Sequence, residues 1–198
     1  ISDFYASGNI VVAAAGGLRH EEIVDLAARY LHLPETPAPR RRASPRPAPG
    51  RSRHVGKPIG QTHVCLGALA CAYGDPRRFH LLAANTILGG GMSSRLFQEI
   101  RERLGLAYSV YSYVEMLGDT GLFGVYLACE EAQAGRTTGL VCDEMRRMKT
   151  AGVTQVEIDN ARAQLKGGLL LGLEGMSKRM SRIAKQEIYF GAYQTVEE

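Results

Sequence analysis

The sequence predicts an α+β fold, a two-layer sandwich with helices packed on one side of a largely antiparallel sheet. Three observations predict it. From residue 62 to residue 191, strand-like and helix-like segments alternate in the order β-α-α-β-β-α-α. The two middle strands are joined by Leu117-Gly118-Asp119-Thr120-Gly121, which reads as a hairpin turn. In the helical segments, apolar residues recur at spacings of three and four, the signature of one buried face.

Residues 9–15 (NIVVAAA) form an apolar run of strand length, ended by Gly16-Gly17. From His20 onward, Ile23, Leu26, Ala27, Tyr30 and Leu31 recur at helical spacing. So short a strand-helix unit cannot bury a core alone, so residues 1–33 read as the tail of a preceding domain. The chain opens on Ile1 rather than Met, which reads as the middle of a longer polypeptide.

Seven of the eight prolines fall between Pro34 and Pro58, and residues 36–57 carry seven basic side chains and no acid. Proline fixes φ and repeated guanidinium groups repel one another, so residues 34–57 read as an extended, solvated linker. The net charge of +4 belongs to this segment, because 17 basic residues face 20 acidic ones elsewhere. That argues against a nucleic-acid-binding face on the folded parts, and no aromatic residue is interleaved in the basic run for base stacking.

Residues 58–198 read as the fuller domain. Residues 62–73 are strand-like; Asp75-Pro76 then supplies an N-cap and a first-turn proline for a helix through Leu81, Leu82, Asn85 and Leu88. Gly89-Gly90-Gly91 stops it. Ser93 or Ser94 caps the next helix, whose stripe is Leu96, Phe97, Ile100 and Leu104. Residues 108–115 and 122–128 are the hairpin strands, and residues 131–151 form a helix stopped by Gly152. Thr154 and Glu157 form a capping box. From Ile158 through Ala161, Leu165, Leu169, Leu173, Met176, Met180 and Ile183, one long helix buries one face, bent or closely packed at its glycines and ended by Gly191.

No apolar run approaches the roughly 18 to 20 residues that span a bilayer, so no membrane partner is expected. No signal-peptide pattern opens the chain, and the default expectation is a cytoplasmic location. The four cysteines form no C-x-x-C pair, and Cys65 and Cys71, within an apolar run, read as small buried hydrophobes.

Chemistry is sparse. No two of the five histidines stand three or four apart, so no helical zinc pair is present. His20-Glu21-Glu22 reads as an exposed helix start, and His63 as a structural strand residue. There is no G-x-S-x-G elbow. The glycine run lacks the ending of a P-loop. Arg95 reads as an i,i+4 partner of Glu99. On their own, Arg101 reads as a solvated helix charge and Tyr108 as a packed strand aromatic.

Residues 88–110, LGGGMSSRLFQEIRERLGLAYSV, change that reading. They resemble the G-G-x-x-S-R-L-[FY]-x-x-[IL]-R-x-x-x-G-L-[AG]-Y pattern in the second lobe of the pitrilysin, insulinase and mitochondrial-processing-peptidase family. Residues 9–31 resemble the last strand and helix of the first lobe in such proteins, Gln61-Thr62-His63-Val64 the start of the second, and residues 172–191 its late helix. The resemblance implies a processing-peptidase-like lobe in a two-lobed clamp that closes around a peptide substrate. It implies zinc in the parent protein, on an H-x-x-E-H motif of the first lobe that does not occur in this sequence. No metal ligand is therefore assigned here, and this stretch alone is expected to be inert and to stop before the lobe's final unit. Tyr108 is implied as a catalytic donor to the oxyanion of the tetrahedral intermediate, and Arg101 as a fork for peptide carbonyls. Gly89, Gly90 and Gly91 resemble a loop that helps admit substrate, and a helix stop explains them equally well. The implied partner is the first lobe or a homologous subunit, as a homo- or heterodimer. The alternative within the family is a non-catalytic partner or structural core subunit.

Overall fold

The computed structural model describes residues 5–34 and 50–195. The middle of the linker, residues 35–49, lies outside them, and residues 50–60 are exposed and have no regular structure. The chain divides into two compact units, one drawn from Ile1–Ala43 and Gly167–Glu198 and the other from Ser44–Lys166.

The second unit is built on a three-stranded antiparallel sheet of β1 (Thr62–Ala70), β2 (Ala107–Met116) and β3 (Gly121–Cys129), in the order β1-β3-β2. The predicted hairpin joins β2 to β3, closed by Leu117 N–H donating to the Thr120 carbonyl at 2.8 Å. Alternation sends Val64, Leu66, Val110, Val125, Leu127 and Cys129 to one face. There they meet Leu88 of α2 (Arg78–Gly89), Leu96, Ile100, and Val141 of α3 (Ala134–Ala151). Leu96, Ile100, Val125, Leu127 and Val141 are wholly buried, and burying such a side chain contributes roughly 1.5 to 3 kcal/mol. The fold is the α+β arrangement of helices on an antiparallel sheet that the pattern predicts.

Local chemistry explains the element ends. Arg77 N–H donates to Asp75 Oδ1 at 2.8 Å, so Asp75 closes the turn before α2; the helix itself starts at Arg78 with Arg77 at the N-cap, two residues later than the predicted Asp75 cap and Pro76 start. At the end of α2, Gly89 lies so close to β2 that a Cβ there would stand 2.4 Å from the Ser112 nitrogen. Thr154 and Glu157 exchange the predicted capping bonds, Thr154 N–H to Oε2 at 2.8 Å and Glu157 N–H to Oγ1 at 3.3 Å. They open α4 (Gln155–Gly172).

Four further expectations are corrected. Residues 10–15 are not a strand, because no described segment forms a ladder with them; Val11 and Val12 are exposed. The long final helix is two, α4 and α5 (Met176–Phe190), and Leu173 N–H bridges the carbonyls of Leu169 and Leu170 in a tightened last turn between Gly172 and Gly175. Its apolar face is covered at Ala161, but Leu169, Met176, Met180 and Ile183 are exposed. Cys65 is exposed and Cys71 half-buried, because alternation turns Cys65 to the sheet face away from the helices. His63, on that same face, accepts or donates one hydrogen bond with Tyr126 Oη at 2.6 Å, the structural role predicted for it.

In the first unit, α1 (His20–Tyr30) starts where the pattern predicts, with Glu21 and Glu22 in its first turn, where the helix dipole favours acids. Arg182 Nη2 donates to the carbonyls of Gln194 and Thr195, each at 3.0 Å, and Gln186 Nε2 to Gln194 at 2.9 Å, fixing the chain after α5.

Candidate functional site

The segment that carries the family resemblance runs from the end of α2 into β2. Ser94 accepts the Gln98 N–H through its carbonyl at 3.0 Å, while its hydroxyl donates back to the Gly91 carbonyl at 2.5 Å. From Phe97 to Arg103 the helix widens to π geometry, with Leu104 N–H donating to Glu99 O at 3.1 Å. Such wide turns cluster at functional sites, because the extra residue per turn re-aims side chains. Gly105 then reverses the chain at φ +61°, a conformation that side-chain-bearing residues rarely adopt. Leu106 N–H donates to Ile100 O at 2.9 Å, pinning the return.

β2 begins with a bulge. Ala107 pairs with Cys129 and Ser109 with Ala128, so Tyr108 is the extra residue between them. A bulge bends the strand and turns its extra side chain out of the ladder. Tyr108 is accordingly 73% exposed. Arg101 reaches toward it from the π turn, its guanidinium 5.9 Å from the Tyr108 ring centroid and 4.9 Å from that of Phe97. The guanidinium is thus held by two aromatic faces.

Arg101 and Tyr108 line one cavity of about 500 Å³, together with Gln61, Gly105, Leu106, Ala107, Cys129, Glu130 and Gln133. Strand register explains the gathering. Thr62 lies opposite Cys129, and Cys129 opposite Ala107, so the starts of β1 and β2 and the end of β3 stand level at one edge. On the floor, burial pushes the Cys129 thiol up from its ordinary value, with a partly opposing hydrogen bond from Thr137.

Gly89, Gly90 and Gly91 do not line this cavity. Gly89 is buried against Ser112, Gly90 backs onto Thr86, and Gly91 faces the Gln164 amide. Among the described residues no three His, Cys, Asp or Glu side chains gather as a metal would need. Sequence reasoning missed Gln61, Glu130 and Gln133; counting the hairpin register back from its turn would have placed Glu130 beside the Tyr108 end of β2.

Arg95 is not the partner of Glu99, which pairs with Arg103 instead. Arg95 donates to Glu157 and Glu144 and to the Gly152 carbonyl. The reason is packing: α3 and α4 bring two carboxylates to a side chain that is only 13% exposed.

An α+β lobe that presents an arginine and a tyrosine at one end of its sheet is the class of protein that these features define. The chain belongs to the peptidase M16 inactive-domain family, whose model matches residues 1–165. An uncharacterized zinc protease of Streptomyces coelicolor is 40% identical over an alignment of 208 residues, covering 98% of this chain and 44% of the relative. One from Mycobacterium tuberculosis is 38% identical over 199 residues, covering 98% and 45%. The crystal structure of a peptidase M16 inactive domain from Pseudomonas fluorescens matches with a TM-score of 0.84 at 30% identity, over 93% of this chain and 44% of that one. The chain spans less than half the length of the relatives it matches.

Proposed function

We propose that this chain is the substrate-clamping half of a zinc-dependent endopeptidase, the lobe that does not carry the metal. The observation that carries this reading is the shared cavity of Arg101 and Tyr108, beside a π turn and a bulge that aim both side chains. In the proposal, the Arg101 fork donates to peptide carbonyl oxygens and fixes the backbone. The Tyr108 phenol donates to the oxyanion that develops as the scissile carbonyl becomes tetrahedral. Gly90, which is exposed, and Gly91 contribute an outlying contact where a peptide backbone approaches closely.

The described residues do not fit a zinc ion, so no step through a metal is assigned to this chain. Zinc, the attacking water and its base belong, in this reading, to the rest of a longer protein. That remainder, or a homologous subunit, is the proposed partner, and exposed Leu170, Leu171, Met176 and Ile188 support a covering surface. No helix among the described residues is long and apolar enough to cross a membrane.

The test compares peptide hydrolysis and zinc content of the full-length gene product with those of this chain alone. The full-length product is expected to cleave and to hold metal, and this chain to do neither. Hydrolysis by the isolated chain would overturn the proposal. A non-catalytic partner or core subunit is the second reading, favoured by the same cavity, because gripping a peptide needs no scissile step. A full-length product without H-x-x-E-H selects it.

A further inference from the structure

Glycines at 167, 168, 172 and 175 stand among the apolar residues that run through α4 into α5. A glycine inside a helix has two structural uses: it admits a close neighbour, or it lets the helix bend. Gly89 shows the first use, packed against Ser112. At Gly167 and Gly168 that use is absent, because among the described residues nothing lies within 4 Å of a Cβ built at either. Each interior glycine disfavours a helix about four- to five-fold relative to alanine, so the adjacent pair weakens α4 by roughly twenty-fold.

The two halves of α4 differ on either side of that pair. Before it the helix is fastened. Glu157 is gripped by Arg95, Ala161 is 2% exposed, and Gln164 Nε2 donates to the Gly90 carbonyl at 3.2 Å. After it Leu169, Leu170 and Leu171 are all exposed. The boundary between the two compact units falls at the same place, between Lys166 and Gly167. Gly135 and Gly139 of α3 are equally open, but they are not adjacent and lie within one unit. Bending at the pair breaks only the helical bonds that span it, and Gly168 is exposed, so water replaces them.

We propose that Gly167 and Gly168 form a hinge inside α4. Residues 169–172 and α5 change direction there, while the fastened half keeps its hold on Arg95 and Gly90. The hinge does not depend on the clamp reading, since neither glycine lines the cavity of Arg101 and Tyr108.

The experiment uses the full-length gene product with nitroxide amino acids incorporated in place of Val156 and Leu171. Both side chains are exposed, and they lie on α4 on opposite sides of the glycines. Double electron–electron resonance reads their separation. A straight helix puts the two Cα atoms about 22 Å apart. The wild-type background is expected to give that component and a shorter one. The Gly167→Ala, Gly168→Ala double variant is expected to deplete the shorter component about twenty-fold. Amide hydrogen exchange over residues 167–172 is expected to slow by a similar factor. Gly135→Ala, which strengthens a helix elsewhere, is expected to change neither reading. A single component near 22 Å in the wild type would overturn the hinge, as would a shorter component that survives both alanines. So would a lowered Tm in either single variant, Gly167→Ala or Gly168→Ala, because the glycines would then be admitting a close neighbour in the full-length product.

Discussion

Arg95 lays its guanidinium along the Glu157 carboxylate, Nε donating to Oε1 at 2.6 Å and Nη2 to Oε2 at 2.9 Å. The same side chain donates to Glu144 Oε1 and to the Gly152 carbonyl, each at 3.1 Å. One cation thus joins the helix that precedes the π turn to α3, to the loop after it and to α4. Removing it leaves the buried Glu144 without the Arg95 bond and Glu157 without its fork. Arg95→Met is expected to cost about 3 kcal/mol. Arg95→Lys is expected to recover only part of that, because an ammonium cannot reproduce the planar fork. Urea denaturation monitored by circular dichroism measures both, and an Arg95→Lys protein as stable as wild type would refute the geometric part of the claim.

The pH dependence follows from the same contact. The Arg95 hydrogen bond holds the Glu157 carboxyl down from 4.5 to about 2, outweighing the opposing effect of burial, and the Thr154 bonds add to it. A carboxylate with a depressed folded value binds fewer protons folded than unfolded. Its stabilisation is therefore fully present above about pH 4.5 and is lost as pH falls through about 2. The urea midpoint is expected to drop across that window, and Glu157→Gln to flatten the drop. A wild-type midpoint that does not change between about pH 5 and about pH 2 would contradict the assignment.

Two glycines in helices should respond to alanine with opposite signs. At Gly89 a Cβ would meet Ser112 nitrogen at 2.4 Å and Oγ at 2.7 Å, and a strand backbone cannot give way cheaply. Gly89→Ala is expected to destabilise by about 1 to 3 kcal/mol. At Gly135, in α3, nothing lies within 4 Å of a built Cβ. There alanine should stabilise by roughly 0.5 to 1 kcal/mol through helix propensity. Thermal melts of the two variants check the signs, and a Gly89→Ala protein as stable as wild type would show that α2 does not need its close approach to β2.

What was legible in the sequence was local. The Leu117–Gly121 turn gave the hairpin, and Thr154 with Glu157 gave a helix start, because each rests on neighbours in the chain. The i,i+4 rule failed at Arg95, since its true partners, Glu144 and Glu157, lie 49 and 62 residues away. Periodicity marks a face without saying what covers it, which is why Ala161 is buried and Met180 is not. The run at residues 10–15 has strand composition, but a strand also needs a ladder. For the site, Arg101 and Tyr108 were readable from one contiguous motif. Gln61 and Glu130 were not, because their nearness to Tyr108 is a matter of register, with Thr62, Cys129 and Ala107 level across three strands.

Kinetics of the full-length product should separate the two clamp residues. Tyr108 sits on a bulge and keeps most of its surface open, so removing its hydroxyl costs little in packing. If the phenol serves the oxyanion, Tyr108→Phe lowers kcat by about 10² while KM stays near its wild-type value. In the proposed clamp Arg101 holds the ground-state backbone as well, so Arg101→Ala is expected to raise KM by about ten-fold with a smaller change in kcat. Gly105→Ala is the positional variant: it removes no hydrogen-bonding side chain from the cavity it lines, but it forces a Cβ into the φ +61° turn that sets the start of β2. A displaced Tyr108 would show as a fall in kcat without a matching loss of affinity. If Tyr108→Phe instead raises KM alone, the hydroxyl grips substrate rather than the developing charge, and the phenol loses its catalytic role.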